Sequence, residues 1–183
     1  MNVLEAIESR ASAAKLSAPG PTRAHLEQIL RAGTRAPDHG RLRPWRFAVM
    51  EGDARKRLGD ALADMLKAKQ PQATDAQLDG ERAKVLRAPT IIAVAAHVTA
   101  GKIPEFEQIC AVAAAVENMF LAASALGYGA MWKTGAGAFD ANVKRTLGFA
   151  AEDHIVAFLY LGTVLSAGTP SPASIDGLVN WLT

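Results

Sequence analysis

At 183 residues, half of them apolar, the chain is long enough to bury a core and short enough to form one domain over 1–183. Its 20 basic and 18 acidic residues leave a formal charge of +2 with an isoelectric point near 8.8, which excludes the strongly basic footprint of a nucleic-acid-binding protein. A single cysteine, Cys110, excludes an internal disulfide and suits a reducing compartment, so the cytoplasm is the expected location.

Residues 1–10 have an amphipathic pattern with Glu5 and Glu8 and lack the basic start and apolar block of an export signal. Thr22 then precedes Leu26, Ile29, Leu30 and Gly33, the spacing of a helix with a threonine N-cap and a glycine stop. A basic, turn-rich loop from Asp38 to Pro44 leads into Trp45–Met50, which alternates like a strand. Asp53 to Lys69 and a stretch ending near Arg87 read as two charged helices forming a surface excursion. Thr90–Ala96 is a continuous apolar run, expected as a central strand covered on both faces.

From Glu105 to Leu126, apolar residues at helical spacing face a side that is mostly alanine, predicting a helix buried all round and seated at a subunit interface. The same stretch is the most membrane-like in the chain, but Glu117 and Asn118 within it argue against a span. After Gly127-Tyr128-Gly129 come a short strand over Ala130–Thr134, a helix over Phe139–Leu147, a strand over His154–Gly162 and a proline-containing tail. This alternation predicts helices on both faces of a sheet.

Histidines 25, 39, 97 and 154 are scattered singly, so no metal site is expected. Gly135-Ala136-Gly137 lacks the third glycine of a dinucleotide fingerprint, since Asp140 stands there. Ser12 one helical turn from Lys15, with Lys133-Thr134-Gly135 downstream, mimics an acyl-serine site but lacks its middle element. Arg10 beside Ser12, with Arg35, His39, Arg41 and Arg43 around a loop, suits a phosphate or a flavin carbonyl. On composition alone a solvated cationic face is the better account of these residues, since surface arginines are common and no single spacing here is diagnostic.

Arg10-Ala11-Ser12, the stretch from Arg35-Ala36-Pro37-Asp38-His39 to Pro44-Trp45-Arg46-Phe47, and Trp132-Lys133-Thr134-Gly135 together give the chain a resemblance to the FMN-dependent nitroreductases over nearly its whole length. The strand Phe158–Thr163 supports it. The resemblance implies an α+β, three-layer fold in which a mixed sheet flanked by helices forms an intertwined homodimer with two FMN sites at the interface. It further implies that Arg10, Ala11, Ser12, Trp132, Lys133 and Thr134 hold FMN in one subunit, while Arg35 and His39 reach it from the other. Ala122, Ala123, Ser124, Ala125, Leu126 and Gly127 are associated in the same way with the nicotinamide of NADH or NADPH.

The implied activity is ping-pong hydride transfer to small nitroaromatic or quinone-like acceptors, with no catalytic acid, because the flavin carries the bond chemistry. A flavin-binding protein without efficient turnover is the rival reading. Ala11 and Ala14 stand where relatives often carry basic residues, Lys133 replaces a frequent arginine, and Arg43 a frequent glutamine, so a modest FMN affinity is expected.

Overall fold

The computed structural model describes residues 2–171 and 174–182, leaving Met1, Pro172, Ala173 and Thr183 outside the described residues. Thr90–Ala96 forms strand β3, and all seven of its residues are buried, as a run apolar on both faces requires. Its neighbours are β2, Trp45–Glu51, and β5, His154–Ser166. On its other edge β5 pairs with β4, Gly129–Lys133, and its last residues pair with β1, Lys15–Ser17.

The fold is α+β, but every described ladder is antiparallel, so the mixed pairing expected from sequence is not seen among the described residues. The connections explain this. Between β2 and β3 the chain runs out along α3, Ala54–Lys69, and back along α4, Asp75–Lys84, re-entering the sheet from the end at which it left. A single crossover, α5 (Glu105–Ala125), does carry β3 to β4 in the same direction, but β5 inserts between them and opposes both.

Side chains alternate across the sheet and build two cores. On one face Ile92, Val94, Ala130, Leu159 and Leu161 meet α5 and α2, Arg23–Gly33. On the other, Ile91, Ala93, Phe158 and Tyr160 meet Leu58 and Ala61 of α3, Val85, and Val143 of α6, Ala141–Thr146. Helix α3 is therefore no surface excursion: its Leu58 and Ala61 are buried in the second core and Ala54 and Leu62 pack against it, whereas α4 has no buried residue of its own.

Three further expectations are corrected. The last strand runs on to Ser166 because its end pairs with β1, a three-residue strand too short to show a period in sequence. The last helix starts at Ala141, where the Asp140 carboxylate accepts from the Asn142 and Val143 amides, and a 3-10 turn over Ala136–Phe139 precedes it. Helix α5 is not buried all round. Gln108, Ala111, Val112, Ala115, Val116, Met119, Phe120 and Ala123 form one buried face, whereas Phe106 and Cys110 on the other side are exposed.

The amphipathic N-terminal stretch forms helix α1, Val3–Ser9. It is closed by a reciprocal Asn2–Glu5 cap and leaves Val3, Leu4 and Ile7 exposed. Within the tail, Ile175, Leu178, Trp181 and Leu182 are exposed as well.

Candidate functional site

Strand β4 delivers Trp132 and Lys133 to opposite faces of the sheet. The Trp132 indole packs on the α5 side and donates to the Val156 carbonyl at 3.2 Å. Lys133 turns toward α3, and the chain leaves the strand through Thr134 and Gly135, the latter at φ 73°. Lys133, Thr134 and Gly135 form one wall of a cleft of about 580 Å³, within the range of small-molecule and cofactor sites.

The floor of this cleft is apolar, with Leu58, Leu62, Phe158 and Tyr160, while four cations surround it: Lys69, Lys84, Arg87 and Lys133. Glu81 is the one carboxylate in the lining, and both of its oxygens accept from Lys84 Nζ, at 2.5 and 2.6 Å. Burial holds the Tyr160 phenol above its ordinary range against the opposing pull of Arg87, so the group is neutral at physiological pH. An apolar cleft with a surplus of positive charge suits an anionic ligand that also has apolar surface.

The other predicted residues fall into separate places. Arg10 lies beside α5, 3.5 Å from the Glu117 carboxylate, with its guanidinium 5.4 Å above the Phe120 ring. Ser12 is exposed, and the adjoining Ala13 amide donates to the Ala130 carbonyl at 2.9 Å. That bond fixes the Arg10-Ala11-Ser12 corner to β4 three residues before Lys133, about 10 Å along the strand.

His39 sits at the opposite end of α5, where its Nδ1 lies 2.7 Å from Glu107 Oε2. It lines a shallow cleft of about 340 Å³ with Phe106 and Cys110. The loop that carries it is held by Asp38, whose carboxylate accepts from the Arg43 amide at 2.7 Å, with Arg41 and Arg43 both at positive φ. Arg35, just beyond α2, is exposed.

Contacts at Glu107 and at Glu117 are separated by about 15 Å along the helix axis, so His39 does not converge with Arg10 within one chain. The 122–127 stretch does not line the larger cleft: Ala123 is buried in the α5 core, Ala122 and Leu126 pack against it, and Gly127 at φ 84° ends the helix.

Sequence reasoning missed Lys69, Glu81, Lys84 and Arg87, because the helices bearing them were read as an excursion from the fold. A usable signal was present in Arg87-Ala88-Pro89-Thr90, which puts a cation at the very entrance of the most buried strand.

A model of the nitroreductase family matches residues 7–163. The chain belongs to this family. Among its relatives is YdjA of Escherichia coli (strain K12), named as an NAD(P)H nitroreductase, which is 41% identical over 164 residues, 89% of this chain and 88% of that protein. A Haemophilus influenzae protein named in the same way is 33% identical over 172 residues, 89% of each chain.

Solved structures agree on the fold. A nitroreductase-like family protein from Bacillus cereus superposes with a TM-score of 0.83 at 23% identity, covering 100% of this chain and 96% of its own. A nitroreductase from Desulfovibrio desulfuricans, solved in complex with FMN, gives 0.77 at 26% identity, covering 100% and 98%. The present nitroreductase thus keeps the family fold across its described length, with Lys133 and Thr134 lining the 580 Å³ cleft.

Proposed function

We propose that this nitroreductase is an FMN-dependent NAD(P)H oxidoreductase that acts as a homodimer on small nitroaromatic or quinone-like acceptors by ping-pong hydride transfer. Membership of the family carries the enzyme class, a flavin oxidoreductase, directly. The observation that carries the cofactor is the cleft itself: an apolar floor for a flat ring system beneath the hydroxyl of Thr134 and the cations Lys84, Arg87 and Lys133. The residues fit FMN. When bound, it supplies reversible hydride chemistry that no side chain of this protein provides.

Each residue then has a definite task. Lys133, with Lys84 and Arg87, lowers the cost of negative charge in the cleft, and the Thr134 hydroxyl adds a neutral donor. Arg10 and Ser12, fixed to the same strand by the Ala13–Ala130 bond, hold the more distant part of the cofactor, where a phosphate favours arginine with a hydroxyl beside it. Leu58, Leu62 and Phe158 exclude water from the ring face.

Arg35 and His39 are supplied by the second subunit, which accounts for the distance of His39 from Arg10 within one chain. The open face of α5, the exposed Phe106, and the apolar side chains of α1 and the tail support that association, since a single soluble chain rarely leaves so much apolar surface uncovered. An exposed, unpaired Cys110 suits the reducing cytoplasm. The 122–127 stretch remains the candidate for contact with the nicotinamide from across the dimer.

The test is spectroscopic. Protein purified with FMN is mixed anaerobically with NADPH and then NADH, and the visible flavin absorbance is followed. Bleaching that reverses on adding a quinone or nitroaromatic is the expected result and names the donor. A yellow protein that neither donor bleaches would favour a flavin binder without turnover, the reading to which Ala11 and Ala14 lend weight. A colourless protein would overturn the proposal.

A further inference from the structure

Among the residues lining the large cleft, Glu81 is electrostatically out of place. It is the sole carboxylate amid Lys69, Lys84, Arg87 and Lys133 in a lining that also includes Thr134 and Gly135. Its side chain is only 17% exposed against 46% for Lys84, so the carboxylate is the more enclosed member of the pair. Both of its oxygens are committed to Lys84 Nζ. The two residues are one helical turn apart on α4, so the pairing is built into the helix and does not depend on a ligand to assemble it.

The neighbouring acid Asp79 faces elsewhere: it accepts from Arg82, which also reaches Asp60 on α3, and neither Asp79 nor Arg82 lines the cleft. Two carboxylates on one short helix thus have different surroundings, and only one of them acts on the cleft.

A cation beside a bound flavin favours the reduced form, which carries the extra negative charge, and a carboxylate beside that cation opposes it. From this we infer that Glu81 is a positioning residue that holds Lys84 in place and offsets its charge, setting both the affinity for FMN and the potential at which the bound flavin is reduced. The consequence is a flavin that is harder to reduce, and so a stronger reductant once reduced, than the cations of the cleft alone would give. The inference rests on the placement of FMN in this cleft.

The experiment compares the wild type with Glu81→Gln, Lys84→Met, the double variant and Asp79→Asn as a surface control. FMN affinity is measured by quenching of flavin fluorescence, and midpoint potential by equilibration with reference dyes. Removing the Glu81 charge while keeping its shape is expected to tighten FMN binding several-fold. It should also favour the reduced over the oxidised flavin by roughly tenfold, a rise of about 30 mV for a two-electron couple.

Lys84→Met, which leaves Glu81 unpaired in the cleft, should shift both quantities the other way, so either variant alone suffices if the other fails to fold. The effect of Glu81→Gln should shrink markedly in the Lys84→Met background, and Asp79→Asn should leave both quantities unchanged. If Glu81→Gln matches the wild type in both quantities, or binds FMN more weakly, the inference is overturned while the FMN reading stands. Failure of the wild type to bind FMN at all would overturn both.

Discussion

Lys133 occupies the last position of β4 with its side chain in the cleft, and its removal should be felt in cofactor affinity before it is felt in folding. A charge-assisted hydrogen bond contributes about 1.5–3 kcal/mol when enclosed and less when partly solvated, so Lys133→Met is expected to weaken FMN binding roughly tenfold. The check is a fluorescence titration alongside a melting curve that stays unchanged. Tyr160, in the same cleft, gives a different kind of prediction.

Burial raises its phenol in the folded state, so above about pH 10 the unfolded chain releases a proton that the folded chain retains. Stability from this group is complete below that pH and falls as pH rises. Tyr160→Phe should therefore flatten the alkaline loss of the urea midpoint between about pH 9 and pH 11, and an identical slope in both proteins would contradict the assignment. At this scale the sequence was informative where a residue's neighbours along the chain reveal its setting. Lys133-Thr134-Gly135 reads as a strand end and a turn, and so as an exposed corner. Lys84 and Arg87 do not read so, because their place depends on where α3 docks, and that is decided by Leu58 and Ala61 against a distant strand.

Among the elements, β3 and α5 were the most legible, since seven consecutive apolar residues and six turns of helical spacing leave few alternatives. Two features were not. The three residues of β1 carry no period, and pairing with the end of β5 is what makes them a strand. The antiparallel order of β3, β5 and β4 cannot be read from a list of elements, because β5 enters between two strands already laid down.

The short helix α6 depends on its first residue more than on its interior. Asp140 satisfies two of its free amides in a helix of six residues, and only Val143 within it is buried. Asp140→Ala should cost about 1 kcal/mol, a fall of roughly 2–4 °C in Tm, with Asp140→Asn retaining most of the stability. Calorimetry of the three proteins decides it.

In the whole molecule the separation of Arg10 from His39 along α5 becomes a statement about assembly. If a second chain completes the site, a charge placed on the open face of α5 should abolish association and cofactor retention together. Ala114→Arg is expected to sediment as a monomer and to lose FMN on gel filtration, while a dimeric, yellow Ala114→Arg would count against the interface. Co-expression of Arg35→Ala chains with Lys133→Met chains should give, at limiting FMN, more activity than either variant alone, because the mixed dimer contains one undamaged site.

The position of β5 has a consequence for how the chain reaches its fold. Ala157, Leu159 and Leu161 of this strand close one core, and Ile155, Phe158 and Tyr160 close the other. It is also the last strand in chain order. During synthesis neither layer of helices has a finished surface to settle on until residues 154–166 have emerged, so the two halves of the protein become stable together and late. A nascent chain arrested before residue 154 should be degraded by protease as an open polypeptide, and one arrested after the strand has cleared the ribosome should resist.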